Sequence, residues 1–175
     1  DVLSGGGCEP GTTLTGTGST RCRLRAGKFV EFRSKTSFTI SADQPIQVAQ
    51  TFAGQNATAG STRPNQGDPS QVLLPPVEQW RASYTVLTAP GILDNYLGIV
   101  IDDSKVQEVR VDGNPVTAGW ATVNTTQFKV NNVAVNVGSH TLQVVARPGQ
   151  QAIPGAGITV YGFDSYVSYG YTGGL

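Results

Sequence analysis

Arg21 to Arg25 alternates strictly, with Arg21, Arg23 and Arg25 on one face and Cys22 and Leu24 on the other, which is the period of a half-buried strand. The same period recurs in Lys28 to Phe32, Ser37 to Ile40 and Ile46 to Phe52, broken at Gly27, Ser34 and Asp43, and predicts a small antiparallel sheet. Residues 53–70, AGQNATAGSTRPNQGDPS, carry almost nothing apolar and predict a long loop or linker. β-rich runs then return: Val72 to Leu74, Ser83 to Thr88, Tyr96 to Ile101, Glu108 to Val111, Gln127 to Val130, Val133 to Val137, His140 to Ala146, Ile158 to Phe163 and Tyr166 to Tyr171. Short strands at roughly eight- to twelve-residue spacing, punctuated by Gly, Pro and Asn, predict a sandwich or barrel.

Turn chemistry favours antiparallel pairing. Asp112-Gly113 lies between two alternating runs, and Asn131-Asn132 lies in KVNNVAV in the same way, so each pair predicts a hairpin tip with positive φ. Helix signals are confined to Pro75 to Tyr84, whose leading prolines allow one short turn. The fold class expected is all-β, an antiparallel β-sandwich of jelly-roll or immunoglobulin-like type with two packed sub-sheets and little or no helix. Residues 1–36 are expected to form an N-terminal segment with the first strands, and 37–175 the sandwich.

Composition supports this. The 175 residues include 22 Gly and 10 Pro, too many for a long helical bundle, while a hydrophobic share of 38% suffices for a core and argues against disorder. Twelve Lys and Arg balance twelve Asp and Glu, so no global field selects nucleic acid or an anionic membrane. No run is long enough to span a bilayer, and the chain begins at Asp1 without Met or a leader, as expected of a processed or excised piece. Cys8 and Cys22 are an even pair in a Gly/Thr/Ser-rich segment. Closing that loop would stabilise the fold by roughly 3 kcal/mol and points outside the cytosol, the alternative being two free thiols.

Catalytic chemistry is poorly represented. His140, the single histidine, shares a strand face with Leu142 and Val144, which is the pattern of a side chain satisfied within the sheet rather than of a catalytic base. The glutamates Glu9, Glu31, Glu78 and Glu108 occupy unrelated contexts, and a carbohydrate-active enzyme is the least favoured reading. Asp102 and Asp103 end the run NYLGIVI and are the candidate ligands for Ca2+, the one cofactor left open; acidic turn residues are otherwise solvated.

Binding candidates are of two kinds. Arg21, Arg23 and Arg25 would suit a sulfated or sialylated glycan or an acidic protein, or would protect an edge strand against pairing. Trp80 and Trp120 would offer stacking platforms for a sugar, and Trp120 in TAGWATV would equally plug the end of a sandwich. Tyr161, Tyr166, Tyr169 and Tyr171 read as core or cross-strand partners. Asn56-Ala57-Thr58 and Asn124-Thr125-Thr126 are acceptor sequons only in a eukaryotic secretory pathway.

From Phe38 onward, FTISADQPIQVAQ, then DPSQVLLPPVEQWRASYTV, VRVDGNPV, VNVGSHTL and VYGFDSYVSYGYTGGL occur in an order that resembles the C-terminal half of the IgG Fc-binding protein N-terminal domain family. Residues 1–35 stay outside the resemblance. It implies an all-β extracellular module of mucin-like, surface-attached or adhesive proteins, and supplies no catalytic or ligand-contact residues; the immunoglobulin partner of the family name is not carried over. The function expected is a non-enzymatic adhesion module binding a glycan or protein on another cell or surface. A structural spacer able to self-associate is the alternative. Nucleic acid and direct membrane insertion are excluded as partners.

Overall fold

The computed structural model describes residues 2–4, 22–34, 36–55 and 65–174. The chain divides into two compact units, Asp1–Phe38 and Thr39–Leu175. In the first, β1 (Val2–Ser4) pairs antiparallel with β2 (Glu31–Phe32), and the Phe32 and Phe38 rings meet at 5.1 Å. The expected strand from Arg21 reduces to one bridging residue, Leu24, among the described positions, and Ser37 to Ile40 is not a strand. Alternation over so few residues, most of them exposed, does not bury enough to hold a ladder. Cys8 and Arg21 lie outside the described residues, and so does most of the expected loop, 56–64, with Asn56 and Thr58.

The second unit is all-β. Val48–Phe52 forms β3, but its partner is β4 (Ser70–Leu74) across the loop rather than the runs before it, so it joins the larger unit. A 3-10 turn at Val77–Gln79 follows. Then come β5 (Ser83–Leu87), β6 (Asp94–Asp102), β7 (Val106–Val111), β8 (Asn114–Pro115), β9 (Ala121–Thr122), β10 (Phe128–Val135), β11 (Ser139–Ala146), β12 (Ala156–Asp164) and β13 (Val167–Thr172). They form a five-stranded antiparallel sheet, β13-β12-β6-β10-β9, and a four-stranded one, β5-β11-β7-β8. The sheets face each other across one core of Tyr84, Val86, Leu97, Ile99, Ile101, Val106, Val109, Val111, Leu142, Val144, Ala156, Ile158 and Val160. All but Val106 sit at alternate positions of their strands, the exception lying where the β7–β11 register shifts, which is why the period-2 reading of the sequence holds here.

The Asp112-Gly113 turn is as expected: φ is 51° and 79°, and it joins β7 to β8. The Asn131-Asn132 turn is not formed. β10 runs through both asparagines in one register, Asn131 opposite Ile99 and Asn132 opposite Gly98. Asn131 is buried, and its Nδ2 donates to the Ala118 carbonyl at 2.7 Å, so the strand continues without leaving the amide unsatisfied.

The two open sides of the sandwich are closed by aromatic residues. On one, the Tyr171 hydroxyl donates to the Leu87 carbonyl at 2.6 Å and accepts from the Leu87 N–H at 2.9 Å, while the Tyr169 hydroxyl donates to Asn95 Oδ1 at 2.6 Å. On the other, Trp120 packs against the core and its Nε1 donates to the Val116 carbonyl at 2.9 Å. β3 and β4 form a ribbon on the outer face of the five-stranded sheet, where Val72 is buried and Phe52 stacks on Tyr161 at 5.4 Å.

Candidate functional site

Alternation along β6, β10 and β12 assigns the outer face of the five-stranded sheet. The buried core partners Leu97, Ile99 and Ile101 point inward, leaving Tyr96, Gly98 and Val100 outward. Registers place Ala134 and Tyr161 beside Tyr96, Asn132 and Thr159 beside Gly98, and Val130 and Gly157 beside Val100. These rungs carry aromatic rings at both ends and small side chains between.

One flank is Trp80, which follows the 3-10 turn. A Cβ on Gly157 would fall 2.7 Å from Trp80 Nε1 and 2.8 Å from Cε2, so the indole lies directly on the glycine backbone of β12. Phe128 meets it edge-on, with ring centroids 5.9 Å apart at 80°. The other flank is a stack: Tyr96 on Tyr161 at 5.3 Å, Tyr161 on Phe52, and Phe163 edge-on to Tyr161 at 5.6 Å. Burial, with the neighbouring Tyr96 phenol, pushes the Tyr161 hydroxyl up to about 12, so it is a neutral donor at physiological pH.

Between the flanks runs a lane floored by Gly98, Val100, Val130, Asn132 and Thr159. The two aromatic rungs, four residues apart on β6, are separated by about 13 Å at strand rise. A Cβ at Gly98 would come within 3.3 Å of Tyr161 and 3.4 Å of Asn132 Oδ1, so glycine lets both side chains lean over the floor. Tyr96, Tyr161 and Asn132 make no side-chain hydrogen bond among the described residues. Aromatic planes flanking uncommitted donors and acceptors form a surface that offers both apolar contact and hydrogen bonds to a ligand.

Of the residues singled out in the sequence, Trp80 belongs to this face. Trp120, just before the edge strand β9, packs against the core instead, with its indole N–H already bonded to Val116. Arg23 and Arg25 lie in the first unit, and each is engaged within the molecule. Asp102 pairs with Lys105 at 3.2 Å and accepts from the Ser104 N–H and hydroxyl. Burial raises its pKa, but those bonds and the Lys105 charge outweigh it and hold the carboxyl below the usual range. Asp103 pairs with Lys129 at 3.0 Å and Arg147 at 3.6 Å. Among the described residues no three His, Cys, Asp or Glu side chains gather as a metal site. Asn124 is exposed in the β9–β10 turn at φ 48°.

The four-stranded sheet offers less. Its outer face holds an open groove of about 300 Å3 lined by Ala82, Ser83, Arg110, Gln143, Val144, Val145 and Ile153, without an aromatic ring. No helix among the described residues is long and apolar enough to cross a membrane.

The model of the family described as IgGFc binding protein matches residues 6–162. The chain belongs to this family. The match begins well upstream of the resemblance at Phe38 and takes in the N-terminal segment, and it ends within β12, before the tyrosines of β13. No curated protein and no solved structure shows a significant match to the chain. An IgGFc-binding protein family is a family of extracellular binding domains rather than of enzymes, and the all-β sandwich is consistent with that class.

Tyr96, Gly98 and Thr159 were not singled out from the sequence as site residues, and Asn132 was read only as half of a hairpin turn. The signal was present for the first three: the alternation in NYLGIVI sets Tyr96, Gly98 and Val100 on one face, and that in ITVYGF sets Thr159 with Tyr161. What period 2 does not say is which face meets solvent, or that Asn132 stands beside Gly98.

Proposed function

We propose that this chain is a non-enzymatic extracellular adhesion module that recognises a glycan on the outer face of its five-stranded sheet. The observation carrying this reading is the Trp80-to-Tyr96/Tyr161 lane, in which aromatic surface and uncommitted polar groups alternate over a glycine-containing floor. Family membership supports a binding role and leaves the ligand open. A Cys8–Cys22 disulfide belongs to the same proposal, supported by the absence of a free thiol at Cys22.

A glycan array run with and without calcium tests it. The wild type is expected to bind a defined set of glycans. Asn132→Arg, which places a bulky cation at the exposed mouth of the lane, is expected to abolish binding with an unchanged melting temperature. Binding unaltered by Asn132→Arg moves the site elsewhere, with calcium dependence pointing to Asp102 and Asp103 and salt sensitivity to Arg21, Arg23 and Arg25. A clean array refutes the glycan reading in favour of a protein ligand or a spacer.

A further inference from the structure

The lane is not symmetrical along its length. Its central rung runs Thr172, Thr159, Gly98, Asn132 across β13, β12, β6 and β10. Burial falls in the same order: Thr172 is buried, Thr159 and Gly98 are half-buried, and Asn132 is exposed. At the β13 end the β3–β4 ribbon sits on the sheet. A Cβ on Gly170, the β13 residue of the adjacent rung, would meet Phe52 at 2.6 Å and Val72 at 2.7 Å, so ribbon and sheet are in direct contact there. At the β10 end, β9 pairs only with Lys129 and Val130, so no strand flanks Asn132. The lane therefore has a mouth at β10 and a closed end at β13, about 14 Å apart over three interstrand spacings.

Its walls and floor are also uncharged. Trp80, Val100, Val130, Asn132, Thr159, Tyr96 and Tyr161 carry no formal charge at neutral pH. Asp102, on the rung of Phe128, is satisfied by Lys105 and Ser104, and Lys129 is turned to Asp103. Among the described residues no cation stands on the floor, the exposed Arg81 next to Trp80 having its Cδ and Nε against Gly174 beyond β13, and desolvating a sulfate or a sialate on the floor would go uncompensated.

Resting on the glycan reading, we propose that the lane takes the terminal segment of a neutral glycan, entering at Asn132 and stopping against the ribbon at β13. A blind lane of this length holds a short segment and reads the chain end; it does not accommodate the interior of a long polymer. The ligand class is thus an uncharged oligosaccharide terminus, distinct from the acidic glycans that Arg21, Arg23 and Arg25 would select.

Because the chain has two tryptophans, Trp120→Phe leaves Trp80 as the sole indole reporter on the lane. That variant is titrated with neutral gluco-, galacto- and N-acetylglucosamine oligosaccharides, short and long. Each is supplied free, reduced to the alditol, and O-methylated at the non-reducing end, with sialylated and sulfated counterparts alongside. Trp80 emission is expected to change with equal affinity for short and long neutral sugars, to lose about tenfold or more in affinity on modification of one end only, and to be insensitive to salt. Adding Asn132→Ala, which brings no bulk, is expected to weaken the response. A Trp80 response that ignores end modification, grows with chain length or prefers the acidic sugars overturns the terminal, neutral assignment and leaves the glycan reading standing. Silence of Trp80 toward every sugar, together with a clean array, overturns both.

Discussion

His140 Nδ1 lies 2.7 Å from Asp112 Oδ2, and His140 Nε2 lies 2.8 Å from the Asn136 carbonyl, so both ring nitrogens face acceptors and the imidazolium is the form that satisfies them. His140 is buried on β11, and Asp112 also accepts from the Thr141 N–H at 2.7 Å. Through His140 on β11, an ion pair to Asp112 and a hydrogen bond to Asn136 link the β7–β8 turn to the β10–β11 turn. Burial lowers the His140 pKa, but the Asp112 bond, the Asn136 carbonyl and the Asp112 charge raise it above 6.5 overall. The His140 bond is the main cause of the lowered Asp112 pKa.

The sign of the pH dependence follows. The contribution of His140, raised in the folded state, is fully present below its unfolded value of about 6.5 and is lost as pH rises through the folded pKa. Asp112, lowered in the folded state, contributes above its unfolded value and loses that contribution as pH falls through its folded pKa. His140→Gln is therefore expected to cost about 1–3 kcal/mol under mildly acidic conditions and progressively less at alkaline pH. Calorimetric unfolding of both proteins across that range checks this; a difference that widens with pH contradicts the paired imidazolium.

Tyr171→Phe removes two hydrogen bonds to one residue, the Leu87 carbonyl and N–H at the free edge of β5. The expected loss is about 1–2 kcal/mol, discounted for the exposure of the site. Amide exchange reads it locally: the Leu87 N–H is expected to lose protection while the amides of Leu142 and Val144 keep theirs.

Gly170→Ala tests how the ribbon is docked. The added Cβ would enter the space of Phe52 and Val72, so either the ribbon lifts or β13 moves, at about 1–3 kcal/mol. Limited proteolysis is expected to cut within or beside β3 and β4 sooner in the variant, with β5 to β12 remaining intact. Unchanged cleavage rates would show that the ribbon absorbs the methyl group.

Trp120 and Asn132 separate packing from binding. Trp120→Ala empties a position packed on the core and is expected to lower stability by about 3 kcal/mol or more while leaving glycan affinity within twofold. Asn132→Arg is expected to do the opposite. Loss of affinity in correctly folded Trp120→Ala protein would move the binding surface to the β9 edge of the sandwich.

Strand positions were legible in the sequence wherever an alternating run was long and one of its faces apolar. β5, β6, β7, β11 and β12 all read this way, and so did the inward face of His140. The hairpin at Asp112-Gly113 was legible because its turn needs positive φ at both positions. Asn131-Asn132 carried the same local signal and failed, because pairing with β6 on one side and the Ala118 carbonyl on the other satisfied the strand better than a turn would have. β3 was found as a strand but assigned to the wrong neighbours, since alternation contains no information about which distant segment completes the ladder.

The same division holds for the site. Sequence alone established an all-β, charge-balanced chain and named Trp80 as an aromatic candidate, because composition and period 2 are local properties. Tertiary structure decided that Trp80 lies on Gly157 and faces a Tyr96/Tyr161 stack across small side chains, that Trp120 is committed to the core, and that Asp102 and Asp103 are paired with Lys105, Lys129 and Arg147. These are contacts between residues far apart in the chain. They arise from strand order and register, which are set by how both sheets bury their apolar faces together, and no single segment encodes that outcome.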